Sequence, residues 1–427
     1  MTAKLKTATL GCKVNQYETQ LVREGLLGAG YVDAGEAENA DLCIVNTCTV
    51  TNEGDSKSRQ IIRRMHRKNP DARIVVMGCY ATRAPEEVAE LPGVAEVVTD
   101  KRELPDLMGR FGVVDLPKGI SGMSGRSRAY VKVQDGCLLN CSYCIIPKVR
   151  PQMYSRPEQE VVNEVRGLID GGFREVVLTG IHLGHYGVDF NAGKPREAWT
   201  RLSSLVENLV RLPGDFRIRL SSIEATEVTR DLVRVLQDHG DRVCPHLHVC
   251  VQSGSDRILR AMKRRWNAKR IVDRCQMVAE QLHKPAFSTD VIVGFAGETE
   301  EDFQASIDVC KKIGFSKIHM FPFSQRRGTP AAEMENQIEK SVKSERGKRL
   351  GQIEQELKSQ YFQSLIGERL QLLVESFKEE TQTAKGTTCR YAPAELRIEN
   401  GGEEVVGKFR DVRIVSAEAS HLVAVPV

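Results

Sequence analysis

Three cysteines within eight residues set the first constraint on this 427-residue chain: Gly136-Cys137-Leu-Leu-Asn-Cys141-Ser-Tyr-Cys144. They follow an apolar β-type run, Arg128–Val133, so the thiols share one loop at a strand end. Three soft ligands on one loop suit three irons of a [4Fe–4S] cube and leave the fourth iron open. A structural zinc site wants four ligands, and no further cysteine or histidine lies close by in sequence. A zinc loop completed from elsewhere, or reduced bystander thiols, stay open as the alternatives.

Upstream, strand and helix patterns alternate. Lys6–Leu10, Leu42–Asn46 and Arg73–Met77 read as strands, with helices near Asn15–Gly28, Asn52–Lys68 and Pro85–Leu91. That order predicts a parallel sheet with right-handed crossovers, a Rossmann-like domain. Cys12, Cys48 and Cys79 each follow one of these strands, in ATLGC, IVNTC and VVMGC, at separations of 36 and 31 residues. Parallel strands deliver their carboxyl ends to one sheet edge, so the three thiols converge there. Glycine before Cys12 and Cys79 lets the backbone approach a bulky ligand. The alternative is three buried cysteines at strand ends.

The Gly/Ser-rich stretch Lys118–Arg126 reads as a linker. Beyond it, strands are expected at Arg128–Val133, Glu175–Thr179, Arg217–Ser221, His246–Gln252, Thr289–Val293 and Lys317–Phe321. Helices are expected at Glu158–Ile169, Thr226–Gln237, Lys269–Leu282 and Glu301–Ile313. Six β/α units predict a partial (β/α)6 barrel. A helix over Lys340–Tyr361 closes it, and short strands with turns after Gly367 predict a small antiparallel β-barrel. The fold class is therefore α/β, with domains over 1–117, 127–363 and 364–427 and the linker over 118–126. In the second series, Arg217, Arg219 and Ser221 share one strand face, as do His246, His248, Cys250 and Gln252, with Asp290 on another strand. If the aliphatic faces meet the outer helices, these polar faces line a cavity for a polar cofactor and substrate.

Twelve cysteines with no secretion signal at the amino terminus argue against a disulfide framework and for the cytoplasm. No apolar run is long enough to span a bilayer, so no membrane partner is expected. Cys43, Cys275 and Cys310 fall inside apolar strand or helix patterns and read as core. Net charge is only +4, but its distribution is uneven. Lys57, Arg59, Arg63, Arg64, Arg67 and Lys68 crowd one helix, and Lys263, Arg264 and Arg265 form a second basic run. Both can neutralise phosphates, although a charged helix face is also an ordinary solvated face. Residues 364–427 hold eight Lys/Arg against ten Asp/Glu, net −2.

The phrases TLGCKVNQYE, VNTCTVT, DGCLLNCSYCIIP, LTGIHLGHYG, RLSSIEA, QSGSD, STDVIVGFAGET and FPFSQRRGTPAA resemble the radical S-adenosylmethionine methylthiotransferase family, over essentially the whole chain. They are most similar to its MtaB type, which acts on N6-threonylcarbamoyladenosine next to the tRNA anticodon. The resemblance implies two [4Fe–4S] clusters, one on Cys137, Cys141 and Cys144 that reductively cleaves S-adenosylmethionine, and an auxiliary one on Cys12, Cys48 and Cys79 that holds the transferred sulfur. It implies two S-adenosylmethionine per turnover, one methylating that sulfur and one yielding the radical that opens carbon 2 of adenine. Tyr143, Gly180, Ser221 and Gln252 would contact S-adenosylmethionine. Arg59, Arg63, Arg64, Arg67, Lys68 and Arg264 would contact tRNA, with a TRAM-like tail and an electron donor such as flavodoxin or ferredoxin. Two departures stand out: Arg150-Pro151 where Arg-Gly is common, and Trp266 where tyrosine is common.

An aromatic C–H bond is beyond side-chain acids and bases, so a radical cofactor must carry that step. The donor sulfur must then sit beside the same carbon, which requires the two cysteine sets to come together. Competing readings are methylthiolation of isopentenyladenosine in tRNA or of a ribosomal-protein aspartate, and a non-catalytic, metal-containing RNA-binding protein. A threonylcarbamoyl carboxylate calls for a cation in the pocket; Arg217, Arg219 and Arg264 are the candidates.

Overall fold

The computed structural model describes residues 2–398 and 402–427. The chain divides into two compact units: one of 1–124, 130–164 and 324–332, the other of 125–129, 165–323 and 333–427.

The first unit is built on β1 (Lys4–Thr9), α1 (Lys13–Gly28), β2 (Val32–Asp33), β3 (Leu42–Thr47), α2 (Asn52–Lys68), β4 (Arg73–Gly78), α3 (Cys79–Arg83), α4 (Pro85–Ala89), β5 (Val94–Val97) and α5 (Leu104–Gly109). The strands form a five-stranded sheet in the order β2-β1-β3-β4-β5, parallel at every pairing. All six residues of β3 are buried, as a strand covered on both faces requires. Alternate residues separate the two cores. Leu42 and Ile44 pack with Val22, Leu26 and Met108 on one face. Cys43 and Val45 pack with Ile62, Tyr80 and Val88 on the other, so Cys43 is core, as expected. The helix expected over Asn52–Lys68 is present with those limits, its Thr51 side chain accepting from the Gly54 amide.

The stretch read as a linker is docked. Glu24 accepts from the Ser121 amide and Glu164 from the Ile120 amide, and Arg156 donates to the Lys118 carbonyl. β6 (Arg128–Asp135) then leads into the three-cysteine loop, α6 (Ile146–Val149), β7 (Tyr154–Ser155) and α7 (Glu158–Asp170).

In the second unit β8 (Glu175–Gly180), α8 (Leu202–Val210), β9 (Arg217–Leu220), β10 (Ser222–Ile223), α9 (Arg230–Asp238), β11 (His246–Val249), α10 (Asp256–Ala261), α11 (Ala268–Gln281), β12 (Ala286–Val293), α12 (Glu300–Ile313), β13 (Lys317–Pro322) and α13 (Lys340–Ser364) follow. β8 pairs parallel with β9, and β10, β11, β12 and β13 pair parallel in order. This is the wall of the expected partial barrel. Thr226 lies within a short 3-10 turn, Ala225–Glu227, and α9 proper starts after the Thr229 cap. α12 has the capping box Thr299–Asp302 and ends on Gly314 in the left-handed conformation.

The tail closes into a five-stranded barrel of β14 (Arg369–Lys378), β15 (Thr383–Thr388), β16 (Pro393–Arg397), β17 (Phe409–Ala417) and β18 (Leu422–Pro426), in the order β14-β15-β16-β18-β17. Leu372, Val374, Leu396, Val412, Ile414 and Leu422 fill it.

Arg217 and Arg219 correct an expectation. Neither lines a ligand cavity. Both are buried, both pair with the buried Glu175 at 2.6 and 2.7 Å, and both donate to the tail barrel. Arg217 reaches the carbonyls of Gln371 and Thr387, and Arg219 those of Thr388 and Cys389. The guanidiniums stack on Phe409 and Tyr391, and His246 also meets Tyr391. The alternation along β9 holds, but the polar face at this end is plugged by protein. Burial alone raises the Glu175 carboxyl; Arg219 and Arg217 outweigh it and hold the group well below the usual carboxylate range. Glu175→Gln removes that charge and leaves two buried guanidiniums under-compensated. The expected loss is about 3–5 kcal/mol in urea denaturation, together with faster proteolysis of the tail barrel; a loss below about 1 kcal/mol would show that the cluster does not hold the two parts together.

Candidate active site

Register places the first cysteine set. Asn46 of β3 pairs with Thr9 of β1 and Met77 of β4, and Thr47 pairs with Gly78. Cys48 and Cys79 are therefore the next residues on adjacent strands, and Cys12 lies beyond Gly11 on the third. Gly11 and Gly78 both have positive φ, 98° and 94°. A Cβ on Gly11 would lie 2.9 Å from Cys48 Cβ and 3.1 Å from its Sγ. One on Gly78 would lie 2.3 Å from Asn46 Oδ1. These glycines let neighbouring strand ends approach closely.

The three thiols sense one another. Burial pushes the Cys48 thiol up to about 11, with Cys79 and Cys12 adding to the rise. Crowded thiols of this kind become thiolates together only beside a cation, the condition a metal cluster supplies. The donor set fits an iron–sulfur group on that ground.

The second set is brought to the first. Cys79 packs with Ile145, Ile146 and Val149, the residues just after Cys144. Between them lies Arg150, a buried residue absent from the sequence-derived candidates. Its Nε is 3.4 Å from Cys79 Sγ, and its other nitrogens donate to Asn15 (2.9 Å), Glu18 (3.0 Å) and Asp135 (2.6 Å). Asn15 in turn donates to the carbonyls of Leu10 and Thr47, ahead of Cys12 and Cys48. Lys132 adds ion pairs to Glu18 and Asp135, both at 3.0 Å. Burial opposes the Arg150 charge, but Glu18 and Asp135 overcome it and keep the guanidinium protonated. A second buried arginine, Arg326, secures the Cys48 side. It donates to Thr49 and Asn52 and pairs with Asp55, which Arg83 also grips at 2.8 Å. Arg326 belongs to the phrase FPFSQRRGTPAA, the one signal that pointed to it.

Within the loop, Cys141 is buried, and Cys137, Tyr143 and Cys144 are half-buried. The Cys144 amide donates to the Cys141 carbonyl, and the Ala331 amide to that of Ser142.

The other expected contacts lie at strand ends of the second unit. Gly180 ends β8, Ser221 follows β9 with its hydroxyl buried, and Gln252 follows β11 with φ of 64°. A non-glycine residue held there carries strain of the sort found at ligand sites. Nearby chain segments bring together His248 and Asp290, both expected on the polar strand faces, and a cluster around Glu227 that the sequence reading did not group. His182 and His185 stack at 3.6 Å and approach Glu227, while His248 meets Asp290 at 3.3 Å.

The basic helix divides. Arg63, Arg64, Arg67 and Lys68 are exposed, whereas Arg59 donates to the Tyr80 hydroxyl at 3.0 Å. Arg264 is not on the surface: its side chain is 2% exposed, paired with Glu224 and stacked 4.2 Å over Trp266.

Residues 4–100 match the family described as uncharacterized protein family UPF0004, and residues 131–310 match the radical SAM superfamily. The chain is 38% identical to the threonylcarbamoyladenosine tRNA methylthiotransferase MtaB of Bacillus subtilis, across 96% of this chain and 93% of that one. The chain belongs to the radical S-adenosylmethionine methylthiotransferase family, MtaB type. The Thermotoga maritima MtaB is 34% identical over 98% of this chain and 96% of its own. The tRNA-2-methylthio-N(6)-dimethylallyladenosine synthase of Aquifex aeolicus is 32% identical over 99% of this chain and 98% of its own. Among solved structures, the radical S-adenosylmethionine methyltransferase TsrM of Kitasatospora setae shares the fold, with a TM-score of 0.55 at 14% identity over 75% of this chain and 73% of that one. This radical SAM methylthiotransferase is thus an enzyme, and among its described residues no helix is long and apolar enough to cross a membrane.

Gly136 tests how tightly the loop is built. Its φ is 73°, and a Cβ would lie 1.9 Å from the Gln152 carbonyl oxygen. Gly136→Ala should lower stability by more than about 2 kcal/mol. Gly172→Ala, where φ is 94° and nothing lies within 4 Å, carries only the backbone penalty. Thermal unfolding of both variants checks this; equal shifts would show that the contact with Gln152 imposes nothing.

Proposed function

We propose that this enzyme methylthiolates carbon 2 of N6-threonylcarbamoyladenosine beside the anticodon of tRNA. The observation that carries the reading is the gathering of Cys12, Cys48 and Cys79 at one sheet edge, against the segment that follows Cys144. In this reading Cys137, Cys141 and Cys144 hold one [4Fe–4S] cluster, and Cys12, Cys48 and Cys79 hold a second. Tyr143, Gly180, Ser221 and Gln252 contact S-adenosylmethionine, two molecules of which serve each turnover. When bound, the clusters supply the electron that cleaves S-adenosylmethionine and the site that carries the donor sulfur.

The chain's own residues do the rest. Arg150 fixes the Cys79 sulfur and Asp135 at once, holding the two cysteine-bearing segments at a set separation. Gly136 lets the loop fold back on Gln152. Ile145 and Val149 keep water from Cys79. Arg63, Arg64, Arg67 and Lys68 offer an exposed cationic face to tRNA phosphates. Residues 1–117, 127–363 and 364–427 act as the auxiliary-cluster, radical and TRAM-like RNA-binding domains. A flavodoxin or ferredoxin supplies electrons in the cytoplasm. The preference for threonylcarbamoyladenosine rests on 38% identity to a relative named for that substrate, against 32% to one named for dimethylallyladenosine.

Mass spectrometry of tRNA nucleosides from cells with and without the gene tests the substrate. The expected result is loss of the 2-methylthio form of threonylcarbamoyladenosine with accumulation of its precursor; loss of the isopentenyl derivative instead would overturn it. In reconstituted enzyme, Cys141→Ala should abolish S-adenosylmethionine cleavage. Cys48→Ala should keep cleavage measurable and eliminate methylthiolated product, and any product from Cys48→Ala would refute the second cluster assignment.

A further inference from the structure

A pocket of about 520 Å³ opens between α10 and the first turn of α11. Arg260, Arg264, Arg265 and Arg270 line it, with Trp266 and the single carboxylate Asp256. Arg264 forms the back, already paired with Glu224. Arg260, Arg265 and Arg270 are exposed and pair with no carboxylate among the described residues. Asp256, whose Oδ1 accepts the Ala268 amide at 2.8 Å, offsets one of these three charges and leaves the lining net positive. The pocket also adjoins the positive end of α11, capped by Asn267. Trp266, 93% buried under the Arg264 guanidinium, forms one wall, and its Nε1 has no hydrogen-bond partner among the described residues. Three guanidiniums without a carboxylate partner, gathered at the positive end of α11, suit a tetrahedral oxyanion.

We propose that this pocket binds a backbone phosphate of the RNA substrate and so sets the register of the strand on the central domain. The inference rests on the tRNA reading above and adds a specific contact to it. The open, exposed rim favours a phosphate on a polymer over a small phosphate enclosed on all sides.

The test uses the full-length, cluster-loaded enzyme and an anticodon stem-loop RNA, with affinity measured by fluorescence anisotropy from low to moderate salt. The double variant R265Q/R270Q should bind about tenfold more weakly and lower the salt slope by about one, as expected for one phosphate no longer neutralised. K311Q/K312Q removes the same charge from exposed positions on α12 and should change affinity less than about twofold. Circular dichroism confirms folding, which these exposed side chains do not govern. Equal effects of the two doubles, or no effect of R265Q/R270Q, would overturn the pocket assignment while leaving tRNA as the substrate. Wild-type enzyme that fails to bind the RNA would instead overturn the tRNA reading. Titration with inorganic phosphate alone distinguishes the source: saturable phosphate binding that R265Q/R270Q abolishes, with RNA binding intact, would assign the pocket to a free phosphate and reject the proposal.

Discussion

One buried guanidinium organises the candidate active site. Arg150 is reached by Asn15 and Glu18 from the helix after Cys12, by Cys79 at the end of the third central strand, and by Asp135 just ahead of Cys137. A cation at such a point is expensive to bury, and here two carboxylates compensate it while a sulfur accepts its remaining N–H. Because each partner lies within a few residues of a cysteine, the pairing that stabilises the arginine also sets where the thiols stand. Arg326 repeats the device on the Cys48 side through Thr49, Asn52 and Asp55. Thiols at strand ends would otherwise be held only by short loops, which are the least restrained parts of a parallel sheet.

The opposite solution holds the tail. Arg217 and Arg219 share Glu175 and send their remaining N–H groups to main-chain carbonyls of β14 and β15 and the turn after them. Carbonyl acceptors on strands are fixed by the barrel ladder, so these bonds select one docking arrangement of the tail. With eight basic residues against ten acidic ones, the tail contributes no general attraction for RNA. Its docking onto β9 is fixed by these directional bonds.

Much of the fold is legible in the sequence because parallel strands advertise themselves. Runs such as IVVM and LCIV leave few alternatives, and helix α2 can be bounded by Thr51 and Pro70. The convergence of Cys12, Cys48 and Cys79 is likewise legible, since it follows from sheet topology alone. What periodicity does not reveal is which polar residue meets which. Arg217, Arg219 and Ser221 alternate identically, yet two serve the tail and one lies at the far strand end. Arg150 and Glu18 are 132 residues apart, and no local pattern links them. Gly11 adds a contact of the same kind: its freedom admits the neighbouring strand end at Cys48, a tertiary contact invisible to a linear reading.

The same distinction explains why basic composition is a poor guide to nucleic-acid contacts. A guanidinium already matched to a carboxylate offers little to an incoming phosphate, because forming the new bond breaks the old one. Arg264 is in that position with Glu224, and Arg59 is engaged by Tyr80. At the barrel strand ends Glu227 faces His182 and His185, and His248 faces Asp290. Burial, reinforced by His182, lowers His185 to about 4, which keeps it neutral near pH 7 and adds no cation. Among the described residues, positive charge without a matching carboxylate remains at Arg63, Arg64, Arg67 and Lys68 on α2 and at Arg260, Arg265 and Arg270 around the pocket. Recognition of an anion therefore concentrates where pairing within the protein is incomplete, which is a narrower criterion than a count of lysines and arginines.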